Sequence, residues 1–137
     1  MPIPERSEYE TLIYGLPDQF PEIETSTLHI YSTSASTGTL EGAVILKNGI
    51  RIQAVEVLDF GSGIIRKYSY IIYQGEKKIR WYDPQPHPEN AELAATFPHH
   101  FHEEPGIKQN RKPAPGISFD SPNLPALVEA CMRLKAK

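Results

Sequence analysis

From residue 39 to residue 47 the side chains alternate. Leu40, Gly42, Val44 and Leu46 fall on one side, and Glu41, Ala43, Ile45 and Lys47 on the other. A period of two is the mark of a β-strand with one buried face. Asn48-Gly49 follows, a two-residue hairpin signal because both positions tolerate positive φ, and residues 50–60 return as the partner strand. Gly61-Ser62-Gly63 turns the chain again, residues 64–73 are rich in β-branched and aromatic side chains, and Gln74-Gly75-Glu76 leads into residues 77–82. With an earlier run at 27–33, the pattern predicts an antiparallel meander of four to five strands.

Strand character stops at Asp83-Pro84, because proline lacks the amide that would continue a ladder. Residues 84–120 are rich in proline and predict a long ordered loop with a short helix near 89–95. Loops of that length inside a domain commonly carry function. Helical spacing returns with Leu124, Leu127, Val128, Cys131 and Leu134, with Ser121 or Asn123 as N-cap. Arg133, Lys135 and Lys137 fall at the C-terminal end, where cations suit the helix dipole. Residues 1–26, broken by Pro2, Pro4, Pro17 and Pro21, predict a surface arm or one short helix near 8–14. The expected architecture is a single α+β domain over residues 1–137: arm 1–26, antiparallel sheet 27–83, His/Pro-rich loop 84–120, and a C-terminal helix 121–137 packed on one face of the sheet.

Composition narrows the class. A chain of 137 residues, 39% hydrophobic and 23% charged, suits one globular domain with a real core. No apolar run approaches the ~18 residues of a membrane span, and the polar, proline-broken N-terminus does not read as a signal peptide. A lone Cys131 excludes an internal disulfide and any multi-cysteine zinc site. A cytoplasmic protein without membrane contact is expected. The net charge of −3 argues against bulk affinity for nucleic acid, but the charge is unevenly spread. Residues 1–42 hold Arg6 against seven acidic residues, whereas residues 43–83 hold seven basic residues against four acidic ones. A local positive face binds a polyanion even on an acidic chain. Solvated strand edges are the alternative.

The candidate chemistry is concentrated downstream. Four of the five histidines (His87, His99, His100 and His102) fall within sixteen residues, just after Arg80, Tyr82 and Asp83. Imidazole changes protonation near neutral pH, so such a cluster suits proton transfer, metal binding, or the satisfaction of backbone groups. As metal ligands, His100 and His102 on an extended segment would point the same way, with His87 or Asp83 completing the set; His-x-His alone is a weak motif. As acid and base, they would serve RNA cleavage without a metal. Glu56 shares a row with Ile50, Ile52, Ala54 and Leu58, so it needs a partner unless a bulge turns it to solvent. Arg80 shares a face with Tyr82 and offers its planar fork to a phosphate, to Glu56 or to Asp83. Asp83 before Pro84 also suits a turn cap. Tyr68, Tyr70, Tyr73, Trp81 and Tyr82 either stack bases or fill a β core. Arg66 and Lys67 project to opposite faces, so one of them can serve a given site.

Tyr68-x-Tyr70, Ile79-Arg80-Trp81-Tyr82-Asp83-Pro84, His87 and Phe97-Pro98-His99-His100-x-His102 together resemble the TumE family of toxin–antitoxin proteins. The likeness covers about residues 38–137, including the Glu56 hairpin and the closing Leu-Pro helix. Trp81 intervenes before Tyr82-Asp83, and Pro84 stands where the family typically has an asparagine. The resemblance implies a growth-inhibiting toxin encoded beside an antitoxin, usually a small DNA-binding regulator, and leaves a homodimer open. By analogy with metal-independent ribonuclease toxins, RNA is the expected substrate. The expected catalytic set is His100, His102, His87, Arg80, Tyr82 and Glu56, with Glu56 positioning Arg80. The expected substrate-binding set is Lys67, Arg66, Tyr70, Asp83 and His99, with no metal and no cofactor. The alternatives are a non-catalytic protein- or nucleic-acid-binding module and a histidine-ligated metal-dependent hydrolase.

Overall fold

A computed structural model of the chain describes residues 2–84, 99–103, 111–114 and 116–134. Its elements run α1 (Arg6–Tyr14), α2 (Leu16–Gln19), β1 (Ile23–Ser26), β2 (His29–Ser32), β3 (Thr37–Leu46), β4 (Ile50–Asp59), β5 (Ile64–Gln74), β6 (Lys77–Asp83), β7 (His100–Glu103), β8 (Arg111–Pro113) and α3 (Leu124–Met132). All strand pairings are antiparallel, and the order is β1-β3-β4-β5-β6-β7-β8, with β2 also pairing β3. The central meander is the one the alternation predicts. The sheet is larger than the expected four to five strands because β1 arises from the segment expected to be an arm, and β7 and β8 from the segment expected to be loop. The expected helix near 89–95 lies outside the described residues, as do His87, Lys135 and Lys137.

The expected strand at 27–33 is β2, and the segment 1–26 expected to be an arm contributes β1 as well as α1 and α2; β1 and β2 run one after the other along β3. At the break, the Thr27 amide donates to the Ala43 carbonyl at 2.8 Å, so the crossing backbone presses on β3. Gly42 makes that approach possible. Its φ is +136°, and a Cβ there would lie 2.5 Å from the Thr27 carbonyl oxygen. Gly42→Ala should therefore lower stability by roughly 2–4 kcal/mol, measured by urea unfolding.

Both longer helices cover the same face of the sheet. On it stand Leu40, Val44 and Leu46 of β3, Ile50, Ile52, Ala54, Glu56 and Leu58 of β4, and Tyr68, Tyr70 and Ile72 of β5, all buried. Tyr9 and Ile13 of α1 and Leu124, Leu127, Val128 and Cys131 of α3 complete the core. Burying each large aliphatic side chain contributes about 1.5–3 kcal/mol, so this one-sided packing is the main source of stability. The β3–β4 turn also anchors α3. Gly49 takes positive φ while Asn48 does not, and Asn48 Nδ2 donates to the carbonyls of Cys131 and Leu134 at 3.2 and 3.3 Å. Both carbonyls lie in or just beyond the last turn of α3, where the helix itself supplies few donors. Asn123 sits at the N-cap of α3 but makes no side-chain cap bond. Its side chain is instead held by Ser118 and by the Tyr70 hydroxyl.

Candidate functional site

Side chains directly opposite in an antiparallel pair lie on the same face. The β6–β7 register sets Asp83 opposite His100 and Trp81 opposite His102. These four therefore project from the face away from α1 and α3, since Tyr82 and Phe101 lie between them on the helix side. The result is a tight node. His102 Nε2 lies 3.0 Å from Asp83 Oδ2, His100 Nε2 lies 3.2 Å from Asp83 Oδ1, and the two Nε2 atoms are 3.1 Å apart. Asp83, His100 and His102 are all buried, at 8%, 1% and 4% exposure, which removes most competition from water. His102 Nδ1 is buried without a hydrogen-bond partner among the described residues.

A hollow of about 370 Å³, lined by Lys67, Tyr68, Ser69, Trp81, Asp83 and Pro84, gives the node a mouth. Asp83 belongs to both, so the buried trio adjoins the hollow at Asp83. The His102 ring stacks against Trp81, with centroids 5.1 Å apart, and Trp81 Nε1 donates to Ser69 Oγ at 3.2 Å. Lys78 Nζ lies 5.4 Å over the Trp81 ring, and Arg51 lies over Tyr73 at 4.3 Å. The registers put Lys67 on this same face, beside Val57. Cations and aromatic rings thus alternate across the sheet and lead to the hollow. At its edge, Tyr68 and His99 are 2.6 Å apart through the hydroxyl and Nδ1. Burial, then the nearby Asp83 carboxylate, pushes the Tyr68 hydroxyl well above the ordinary phenol range. Burial, aided by His100 and opposed by Asp120, lowers His99. Both directions favour a neutral imidazole accepting from the Tyr68 hydroxyl.

Other expected site residues lie elsewhere. Arg80 precedes Trp81 and therefore points to the helix side, away from His100 and His102. Its Nε lies 3.2 Å from Glu103, its guanidinium covers Phe101 at 4.8 Å, and its Nη1 reaches the Tyr82 hydroxyl at 3.5 Å. Tyr82 is buried, which raises its hydroxyl. Glu56 does not meet Arg80; its two oxygens accept from the hydroxyls of Tyr9, at 2.5 Å, and Tyr70. Asn123 Nδ2 donates to the Tyr70 hydroxyl at 3.1 Å, completing a polar knot that ties both helices to the sheet. Arg66 occupies the β4–β5 register shift, where it pairs with Asp59. The Ser62 amide and Arg66 hold that carboxyl below its usual range. Sequence reasoning missed Ser69 and Lys78 as parts of the site. Their alternation with Lys67 and Trp81 was visible, but the cross-strand register that joins them was not.

The chain is thus an α+β protein in which a basic, aromatic sheet face ends in a buried histidine–carboxylate node. Over residues 14–131 it matches the family model described as Toxin TumE, and it belongs to that family. As a member it is the toxin of a toxin–antitoxin system, which implies an antitoxin partner. No curated protein and no solved structure matches it significantly. Among the described residues no helix is long and apolar enough to cross a membrane.

Proposed function

We propose that this toxin binds single-stranded RNA along the face of Lys67, Lys78 and Trp81 and cleaves it at the hollow above Asp83, His100 and His102. The observation that carries the reading is the hollow itself, where a lysine, a half-buried indole and the buried histidine–carboxylate node lie together. Hollows of about 300–1,000 Å³ suit a small ligand such as one nucleotide, and aromatic platforms flanked by cations suit a single strand. In the reaction, the ribose 2′-oxygen attacks phosphorus and its proton passes to the Asp83 node. The 5′-oxygen leaves and takes up a proton from solvent water, leaving a 2′,3′-cyclic phosphate and a 5′-hydroxyl. Lys67 neutralises the phosphate, and the Tyr68–His99 pair borders the path of the leaving group. The antitoxin, a small DNA-binding regulator in this reading, silences the toxin by covering the same face.

Purified toxin incubated with end-labelled single-stranded RNA should give fragments ending in cyclic phosphate, and should leave the all-deoxy analogue intact. Absence of fragments, or equal cleavage of the deoxy strand, contradicts the proposal. Binding separates from chemistry in a Lys67→Glu/Lys78→Glu variant. Its affinity for RNA should fall roughly tenfold or more at low salt, with a shallower dependence on salt concentration in filter binding.

A further inference from the structure

We propose that Asp83, His100 and His102 form a binding site for one divalent first-row transition metal ion, of which zinc is the representative, beside the hollow. One carboxylate oxygen and two imidazole nitrogens converge within 4.8 Å of one another, all three residues being buried. The separations carry the case. The Nε2 atoms stand 3.1 Å apart, with His100 Nε2 3.2 Å from Asp83 Oδ1 and His102 Nε2 3.0 Å from Asp83 Oδ2, one oxygen to each ring. Ligands bound to zinc at about 2.0–2.1 Å with tetrahedral angles are ~3.3 Å apart, close to the separation of the two ring nitrogens, so an ion fits once the Asp83 carboxylate turns one oxygen toward it.

An ion would accept both Nε2 lone pairs and the carboxylate charge together. The donor set also discriminates: imidazole nitrogen favours zinc and its neighbours, whereas magnesium and calcium prefer oxygen ligands. Among the described residues the site offers three protein ligands, the number that catalytic zinc sites use, and Asp83 also lines the hollow.

One feature sets the expected strength. A metal-bound histidine usually donates its second ring N–H to an acceptor, and loss of such support costs about 10–100-fold in affinity. His102 Nδ1 lacks that support among the described residues, so micromolar rather than nanomolar binding is expected. If RNA is the substrate, as proposed above, the residues would hold an ion able to acidify a bound water, and the resulting hydroxide, rather than the side chains themselves, would supply the base at the node. Binding itself does not depend on that reading.

The full chain, stripped with a chelator and checked for unchanged circular dichroism, is titrated calorimetrically with zinc alone. One equivalent should bind, magnesium should give no comparable heat, and zinc should raise Tm. Asp83→Asn and His102→Gln should each weaken zinc binding tenfold or more. Cobalt titration supplies a second readout independent of variants: wild type should develop an intense four-coordinate visible spectrum that zinc abolishes. Binding well below one equivalent, undiminished zinc affinity in both folded variants, or a six-coordinate cobalt spectrum would overturn the site. Because no RNA is present, these results stand apart from the cleavage assay; zinc binding without cleavage would remove only the ribonuclease reading.

Discussion

Glu56→Leu should destabilise the protein by roughly 2–6 kcal/mol in urea unfolding, because it strands two buried hydroxyls at about 1–3 kcal/mol each. Tyr9 reaches Glu56 from α1 and Tyr70 from β5, so the loss falls on the junction of helix and sheet. Against a typical net stability of about 5–15 kcal/mol, that is enough to unfold a marginal chain. Glu56→Gln keeps the shape and an acceptor and should cost far less. The pair also separates in pH dependence. Burial raises the Glu56 carboxyl, although both tyrosine hydrogen bonds pull it down. The folded state therefore holds this proton more tightly than the unfolded state does. Its contribution to stability should be full below the unfolded carboxyl range and decline as pH rises toward the folded value. Comparing wild type with Glu56→Gln from pH 4 to 8 isolates it: the amide variant should lack that decline, and parallel curves would show that Glu56 does not titrate between the two states.

Asp83→Asn should reduce RNA cleavage by about 10²–10⁴-fold, the range attached to a positioned acid–base group. Its carboxylate meets both His100 and His102, and Asp83 is the member of the trio that lines the hollow. An amide keeps the volume but offers one acceptor and turns an N–H₂ group toward a ring nitrogen. Initial rates on a single-stranded substrate, with Tm recorded for each variant, check this. A rate within threefold of wild type would assign Asp83 to the turn alone.

Much of the scaffold was legible because its signals are local. The alternation from Leu40 to Leu46, the Asn48-Gly49 turn and the spacing of Leu124, Leu127, Val128 and Cys131 each lie within one element. They correspond to β3, the β3–β4 hairpin and α3. Glu56 was visible as a carboxylate in an apolar row, but its partner Tyr9 is 47 residues away, beyond any periodic signal. The histidine strand was hidden for a different reason. β7 spans only four residues within a proline-rich stretch, too short for alternation to stand out. The position of Arg80 turned on register. The pairing shifts between Ile72 and Tyr73, and Arg80 then faces Glu103 while Trp81 faces His102. Nothing in the spacing of Arg80 from the histidines distinguishes that pairing from one shifted by a residue, which would have put the guanidinium beside the imidazoles. Lys67 and Lys78 remain on the imidazole side, and they replace Arg80 as the cations of the proposed RNA face.

Growth after induced expression tests the histidine–carboxylate node most directly, comparing wild type with a His100→Gln/His102→Gln variant at matched soluble levels and without antitoxin. Wild type should arrest growth, and the double variant should grow like cells carrying an empty vector. Equal arrest by a folded double variant would contradict the account and move the toxic activity away from Asp83, His100 and His102.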